Sequence, residues 1–579
     1  MRRSAVQLVV GALAVGLALT GCESTGNTGT DGDKNAVKQD IIIDREGKTP
    51  TPAPEVPGAK KGGQINWLQD GEFQHFDPQQ MYYSDSLNVG TQVMFRMLTT
   101  FVEDPNGGPL KLVGDLATNT GVSSDGDKTW TYTLRDGIKF EDGSPITSKD
   151  ISYGVARSFS TYGDQGMQYI QNALDPKRAY KGPYTGDLNV PGIKTPDDKT
   201  IVFTFPQPHA EFPYLAAYPT VVPVPKAKDS KDKYEDEWVA SGPYKRQVQK
   251  KDQFMILERN PHWDAKSDPV RHQYVDTIKF DWSVNRTSQT NRLKASEGDD
   301  QTAVMSASVA QQDISTVSGD PALKSRTMEA ATPFTNFVYI NTTRVTDLDV
   351  RKALNYAFDR DSFVKALGGQ KVARPATTIL AQTVPGFKNY DVFQAGPSGD
   401  MSKAKKLVEG KKVPKLGYCF PNTANGQKNA AVVQAALQRD GVFDVALVPV
   451  ETKEYSNVVG ASATTCDLIA NGWAADFPDG ASTLQVLFDG SGIRPTGNQN
   501  LSYLNVPSLN EEFAKLALMG DRAKAAPLYG DLDEKIMREY APVIPTHYLR
   551  AYQLNGTKVG GAFMSPLYAQ VNLTGIYVK

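Results

Sequence analysis

The residue types that most often carry out chemistry in proteins are scattered along this sequence. The five histidines stand far apart and match neither a zinc-protease motif nor metal-ligand spacing, at positions His75, His209, His262, His272 and His547. The sequence also has no Gly-x-Ser-x-Gly nucleophile turn and no glycine pattern typical of nucleotide-binding loops. We therefore interpret the histidines as structural, expect no metal and no cofactor, and do not expect an enzyme.

One cysteine lies where a specific modification is expected. The apolar run from Leu8 to Leu19 follows two arginines and is shorter than the about 20 residues that a membrane-spanning helix needs. It is typical of a secretory signal peptide. The tetrapeptide Leu-Thr-Gly-Cys that ends at Cys22 resembles the lipobox of bacterial lipoproteins, in which the cysteine carries a lipid. We predict a signal peptide over 1–21 and lipidation of Cys22; an ordinary signal peptide and a twin-arginine route are the alternatives.

The two remaining cysteines make an even pair. Cys419 lies in the apolar segment 416–420 and Cys466 opens the apolar segment 466–470, and both segments are typical of buried strands. Because exported proteins fold in an oxidising compartment, neighbouring strands could join these cysteines in a disulfide. Two buried free thiols are the alternative.

A flexible connection is expected between the lipid and the body of the protein. The residues after Cys22 are polar and glycine-rich, and Thr49 to Gly63 is polar and proline-rich. Such segments bury too little apolar surface to offset the entropy of ordering them. We therefore predict a tether over 22–62, in which the apolar triplet at 41–43 either docks locally or stays disordered.

The body of the chain is long enough for more than one hydrophobic core. Lysine and arginine total 63 against 65 aspartates and glutamates, a formal net charge of −2. This balance does not suggest a nucleic-acid partner, for which a basic patch is expected. No second apolar run is long enough to span a membrane.

The sequence changes its pattern of elements along the body. In the first half, alternating apolar residues predict strands over 129–134 and 200–205, with a helix over 148–159 between them. In the second half, one or two helices are predicted over 350–367. They are followed by strands at 416–420, 445–450 and 466–470, with helices at 429–438 and 455–459 between them. Helices between strands imply a parallel or mixed sheet, so the sequence predicts an α+β half, an α/β half and two lobes.

Four blocks carry a resemblance to a known family. They are Leu134–Asp150, Ser241–Lys245 with Glu258–Trp263, Val350–Arg360 and Gly472–Asp479. In this order they resemble the family 5 solute-binding proteins, the extracytoplasmic receptors of ABC importers for oligopeptides and dipeptides. The resemblance covers essentially the whole body. Within each block, turn glycines and helix-capping residues also have ordinary structural roles.

The resemblance implies a fold and a division into domains. The expected fold is periplasmic-binding-protein-like, of type II and cluster C, with a hinge and an interlobe ligand cleft. Residues 63–95, 200–310 and 546–579 would form the main domain of lobe I, 96–199 an extra subdomain of lobe I, and 311–545 lobe II.

The same resemblance implies a binding site. Asp476 would face the cleft and pair with the α-ammonium of a peptide, Trp473 would line the cleft, and Tyr82 and Tyr83 would approach the ligand from lobe I. A buried ammonium needs a charged, hydrogen-bonded partner, which a carboxylate supplies. The alternative is that Asp476 caps a turn and Asp479 is exposed. The family often has Asp-Pro where this chain has Asp479 followed by glycine, which puts the local loop shape in doubt.

The function implied is that of a substrate-binding lipoprotein held at the outer face of a bacterial membrane by its lipid. As a monomer it would capture oligopeptides or dipeptides and deliver them to the permease subunits of an ABC transporter. Three alternatives remain: a receptor for another solute such as an oligosaccharide, a peptide-sensing signalling lipoprotein, and a secreted hydrolase.

Overall fold

The structure is a computed structural model that describes residues 41–43, 47–163 and 165–579. The predicted signal peptide, Cys22 and the first part of the predicted tether lie outside these described residues. Among the described residues, no helix is both long enough and apolar enough to cross a membrane.

The described part of the chain alternates strands and helices throughout. Its β-strands are β1 (Ile41–Ile43), β2 (Gln64–Leu68), β3 (Thr99–Val102), β4 (Leu110–Gly114), β5 (Val122–Ser124), β6 (Thr129–Thr133), β7 (Ile193–Lys194), β8 (Thr200–Thr204), β9 (Tyr244–Lys250), β10 (Phe254–Arg259), β11 (Thr277–Asp281), β12 (Ala303–Met305), β13 (Thr327–Ile340), β14 (Ala373–Pro375), β15 (Leu416–Pro421), β16 (Val445–Val450), β17 (Leu468–Ala474), β18 (Val543–Leu554), β19 (Val559–Gly560) and β20 (Tyr577–Val578). Its α-helices are α1 (Ser84–Val89), α2 (Ser148–Arg157), α3 (Tyr169–Leu174), α4 (Phe212–Leu215), α5 (Tyr234–Glu237), α6 (Arg286–Ala295), α7 (Ile314–Gly319), α8 (Pro321–Lys324), α9 (Leu348–Ala357), α10 (Arg360–Leu367), α11 (Met401–Val408), α12 (Ala424–Leu437), α13 (Tyr455–Val459), α14 (Ala481–Phe488), α15 (Pro507–Ala517) and α16 (Arg522–Glu539).

Lobe I is built on a five-stranded sheet in the order β12-β2-β11-β10-β9. The interior strand β2 pairs in parallel with β11 and β12, and β10 pairs antiparallel with β11 and β9. Ile65 and Trp67, on one face of β2, are fully buried in the core of this lobe, and Leu68, on the other face, is buried in a second cluster. Strand β2 therefore lies between packed layers.

A smaller four-stranded sheet, in the order β5-β6-β8-β7, extends lobe I. Trp130 and Tyr132 alternate inward along β6, opposite Phe203 and Ile201 of β8, as the period of two in the sequence predicts. Strand β8 begins at Thr200, the predicted start of a main-domain segment, and it pairs with β6, which lies in the segment predicted as the subdomain.

Helix α2 begins where the sequence indicates. Thr147 and Asp150 form a reciprocal capping box, with the Asp150 carboxylate accepting from the Thr147 backbone at 2.8 Å. The helix ends at Arg157, two residues before the predicted end. Ser158 is its C-cap, and its N donates to the Gly154 carbonyl at 3.4 Å and to the Val155 carbonyl at 3.2 Å.

Lobe II is a six-stranded mixed sheet in the order β14-β18-β13-β17-β15-β16, covered by helices. Strand β15 pairs in parallel with β16 and β17, while β13 pairs antiparallel with β17 and β18. The predicted mixed sheet is confirmed, and the predicted helical segment 350–367 is two helices, α9 and α10. Helix α12 starts five residues before its predicted start because the Thr423 side chain caps it by accepting from Gly426 N.

Strands β13 and β18 connect the two lobes. Phe337 and Val543 lie in a core of lobe II, whereas Tyr552 and Leu554 at the other end of β18 pack with Leu68 of lobe I. The fold is the expected two-lobed arrangement, with two long paired strands running between the lobes.

The segment before Gly63 differs from the predicted flexible tether. Strand β1 pairs in parallel with β4 at the edge of a three-stranded sheet, in the order β1-β4-β3. Further along, Thr49 N donates to Thr118 O at 2.8 Å and Ala53 N donates to Asp268 O at 2.9 Å. These hydrogen bonds supply the stabilisation that a polar segment cannot obtain from burial of its own side chains.

Cys419 and Cys466 are joined in a disulfide, with their Cα atoms 5.7 Å apart. Cys419 lies on β15, and Cys466 stands two residues before β17, its parallel neighbour. Both side chains are buried in lobe II.

Candidate functional site

Asp476 lies just beyond the end of β17, where that strand leaves the sheet of lobe II. Trp473 and Ala474 are the last residues of β17 and pair with Thr335 and Phe334 of β13. Ala475 N still donates to Pro333 O at 3.3 Å. The sheet therefore fixes the backbone up to the residue before Asp476, and the carboxylate projects from a rigid edge.

Two tyrosines from lobe I contact the Asp476 carboxylate. The Tyr82 hydroxyl donates to Oδ1 at 3.1 Å, and the Tyr169 hydroxyl donates to Oδ2. Tyr82 precedes α1, and Tyr169 opens α3 of the subdomain. The carboxylate of lobe II thus receives one hydrogen bond on each oxygen from the opposite lobe.

The surroundings of Asp476 favour its neutral form. Burial among apolar and aromatic groups raises the pKa of Asp476 to about 7, although the hydrogen bonds from Tyr169 and Tyr82 act in the opposite direction. The same burial, together with the carboxylate, raises the pKa of Tyr82 and of Tyr169 well above the ordinary value. Both phenols therefore remain protonated donors, and the carboxyl group titrates near neutral pH.

A cavity of about 270 Å³ lies beside this carboxylate, between the lobes. We call it the Asp476 cavity, and its walls are formed by Tyr82, Tyr83, Ser84, Leu87, Met167, Tyr218, Phe334, Gly472, Trp473, Ala474, Ala475, Asp476, Leu567 and Tyr568. The indole of Trp473 is held in place because its Nε1 donates to Ser482 O at 2.8 Å.

The structure brings the residues singled out in the sequence to one place. Asp476, Trp473, Tyr82 and Tyr83 all line the Asp476 cavity. Sequence reasoning missed Tyr169, the second hydroxyl donor to Asp476. Its segment carries no motif, and only the packing of the lobes brings it to a carboxylate 307 positions away.

The residues after Asp476 are fixed by lobe II. Asp479 is only 5% exposed, and its carboxylate receives two hydrogen bonds of 2.8 Å from Arg522. The alternative of an exposed Asp479 is therefore wrong. Glycine at 480 has a structural reason, because a Cβ there would lie 2.5 Å from Cβ of Tyr529.

Phe477, between these two acids, packs into lobe I. Its side chain is 3% exposed and belongs to the hydrophobic core of lobe I, with its ring stacked on Tyr214 and edge-on to Tyr169. A larger cavity of about 890 Å³ begins on the far side of this residue, at Pro478 and Asp479. We assign the site to the smaller cavity because it contains the carboxylate with the raised pKa.

Comparisons with known proteins show which family the chain belongs to. A family model described as "Bacterial extracellular solute-binding proteins, family 5 Middle" matches residues 111–494. The oligopeptide-binding protein OppA of Bacillus subtilis is 26% identical over 487 residues, which cover 80% of this chain and 84% of that protein. The periplasmic OppA of Salmonella typhimurium is 25% identical over 537 residues, covering 88% of this chain and 90% of that protein.

A solved structure extends the comparison to three dimensions. The structure titled "Clavulanic acid biosynthesis oligopeptide binding protein 2" superposes with a TM-score of 0.84 at 27% identity, covering 92% of this chain and 98% of that one. The family match spans more than half of the sequence, and the chain belongs to the bacterial extracellular solute-binding proteins of family 5.

Proposed function

We propose that this protein is the substrate-binding lipoprotein of an ABC importer and captures peptides outside the membrane for delivery to a permease. The observation that carries the proposal is the Asp476 carboxylate, which lies at the interlobe cavity in an environment that penalises its charge. A cationic ligand would relieve that penalty, since a buried carboxylate is stable when it is paired. The relatives named as oligopeptide-binding proteins make a peptide amine the best candidate for this cation.

The proposed binding mode places the α-ammonium of the peptide on Asp476. The exposed main chain at the end of β17 would then pair with the ligand backbone in a strand-like manner. The two lobes would close around the ligand, with Tyr82 and Tyr169 approaching from lobe I.

Calorimetry with paired peptides tests the ammonium role. Asp476→Ala should weaken binding of a free-amine peptide by about 30-fold or more, since truncating one partner of a buried charge pair costs at least about 2 kcal/mol. Binding of the N-acetylated peptide should change little. Asp444→Asn is a matched control, because this acid is about two-thirds exposed on the same lobe. Equal losses for both peptides in Asp476→Ala would refute the ammonium role.

The lipid on Cys22 is proposed from the sequence alone. Cys22→Ser should move the protein from the membrane fraction to the medium or periplasm and abolish incorporation of a labelled fatty acid. Cys419 and Cys466 cannot carry the lipid in the folded protein, because both sulfur atoms are buried in a disulfide. Retention of the label in Cys22→Ser would contradict the proposal.

A further inference from the structure

The wall of the Asp476 cavity has an unusual chemical composition for a site that would bind a whole zwitterion. Most of its side chains are aromatic or apolar, including Tyr83, Phe334, Trp473 and Tyr568. Among the fourteen lining residues, all of them described, Asp476 is the one side chain with a formal charge. The wall therefore offers a partner to a ligand's cation and neutral surfaces to the rest of the ligand.

Two further features of the wall favour a ligand that has a cation at one end and neutral groups elsewhere. Tyr218 lines the cavity, and its hydroxyl makes no hydrogen bond with any other described residue, so it is available to a neutral amide of the ligand. The aromatic faces suit an apolar side chain, and they also attract a cation placed beside them. A carboxylate in the same space would lose its hydration without gaining a counter-charge, which is costly.

Chain length then decides where the ligand's carboxyl end falls. A residue of extended chain spans at most about 3.5 Å, so the carboxylate of a dipeptide lies within about 7 Å of its amine. With the amine on Asp476, that carboxylate would remain among the aromatic walls. A tetrapeptide spans about 14 Å and can carry its carboxylate beyond them.

We propose that the site recognises only the amine end of its ligand and leaves the carboxyl end outside the Asp476 cavity. It therefore selects peptides that are longer than dipeptides and have a large apolar or aromatic first side chain. This rests on the proposed function and names its substrate class. A dipeptide would be disfavoured by its terminal charge rather than by its size.

Four synthetic peptides test the proposal on the full-length mature protein by calorimetry. They are phenylalanyl-alanine, its C-terminal amide, the tetrapeptide with three alanines after phenylalanine, and the amide of that tetrapeptide. Removing the carboxylate should tighten binding of the dipeptide by about tenfold or more, because the unpaired buried charge disappears. The same change in the tetrapeptide should alter the dissociation constant by less than about threefold, because an exposed carboxylate gains little from screened interactions.

The outcomes separate this inference from the proposed function. If the dipeptide acid binds as tightly as its amide, its carboxylate is not penalised in the cavity. If amidation weakens binding of the tetrapeptide about tenfold, a cation holds its carboxyl end. Either result overturns this inference while peptide binding stands. If none of the four peptides binds to protein whose circular dichroism shows it folded, the proposed function itself is wrong.

Discussion

At the scale of single residues, the chemistry of the site depends on the proton of Asp476. Burial favours the neutral carboxyl, whereas the hydroxyls of Tyr82 and Tyr169 stabilise the carboxylate, and burial is the larger effect. The resulting pKa of about 7 means that the cavity holds a proton in a substantial fraction of molecules at neutral pH. In the proposed binding mode, a ligand ammonium replaces that proton as the partner of the carboxylate.

Peptide affinity should therefore depend on pH. Below its pKa of about 7, Asp476 must lose a proton before it can pair with an ammonium, so the dissociation constant should rise by up to about tenfold per pH unit as the pH falls. Above about pH 8 the peptide's own α-amine loses its proton, so affinity should fall again. Titration calorimetry in buffers of different ionisation enthalpy measures both the affinity and the proton released.

Asp476→Asn is the control for this pH dependence. It keeps the shape of the side chain but cannot titrate, so its weaker binding should be independent of pH below about pH 7. Wild-type affinity that stays constant between about pH 5 and pH 7 would contradict a pKa of about 7 for Asp476 in the unliganded protein.

At the scale of elements, the connection from β17 to α14 holds the site in position. Trp473 is the last residue but one of β17, and its indole is hydrogen-bonded to Ser482 in α14. Asp479 is bound by Arg522, the first residue of α16, and both side chains are nearly fully buried. Asp476 therefore lies on a short segment that is fixed on both sides by lobe II.

Removing Arg522 should destabilise this connection strongly. Arg522→Met leaves Asp479 buried without its cation, which should lower the free energy of unfolding by about 3–5 kcal/mol. Adding Asp479→Leu should recover part of the loss, because no unpaired charge then remains. Arg538→Met on the same helix is the control: its ion pair is largely exposed and should contribute less than about 1 kcal/mol. Denaturant unfolding measures all four proteins, and equal losses for Arg522→Met and Arg538→Met would contradict this role.

At the scale of the whole molecule, the site also holds the two lobes together. Asp476 and Phe477 belong to lobe II, yet their side chains contact Tyr82, Tyr169 and Tyr214 of lobe I. Phe477 is buried in the core of lobe I rather than in that of its own lobe. The lobes can separate only if Phe477 becomes exposed to water, which burial of apolar surface opposes.

Phe477→Ala should shift the unliganded protein toward an open arrangement. Small-angle scattering should show a larger radius of gyration than for the wild type, and saturating peptide should restore the smaller value. Phe488→Ala is the control, since Phe488 is fully buried within lobe II alone. It should lower stability without enlarging the unliganded molecule. An unchanged radius of gyration in Phe477→Ala would show that this contact does not hold the lobes together.

Local patterns in the sequence determined much of this protein. The inward alternation of Trp130 and Tyr132, the capping residues of α2 and the position of Asp476 just beyond a strand all follow from neighbours within a few residues. Such features depend on backbone geometry and side-chain periodicity, which a sequence displays directly. The four blocks that resemble the family, in their order along the chain, indicated the two lobes and the cleft between them.

Only the tertiary structure decided which distant surfaces meet. Tyr169 reaches Asp476, Phe477 packs into the opposite lobe, β8 joins the smaller sheet, and the segment near Thr49 docks on the body instead of remaining flexible. Each of these contacts joins residues that are far apart in the chain or makes hydrogen bonds that composition does not reveal. Their energies depend on how whole layers pack and on which polar groups they leave buried, and these properties do not exist until the chain has folded.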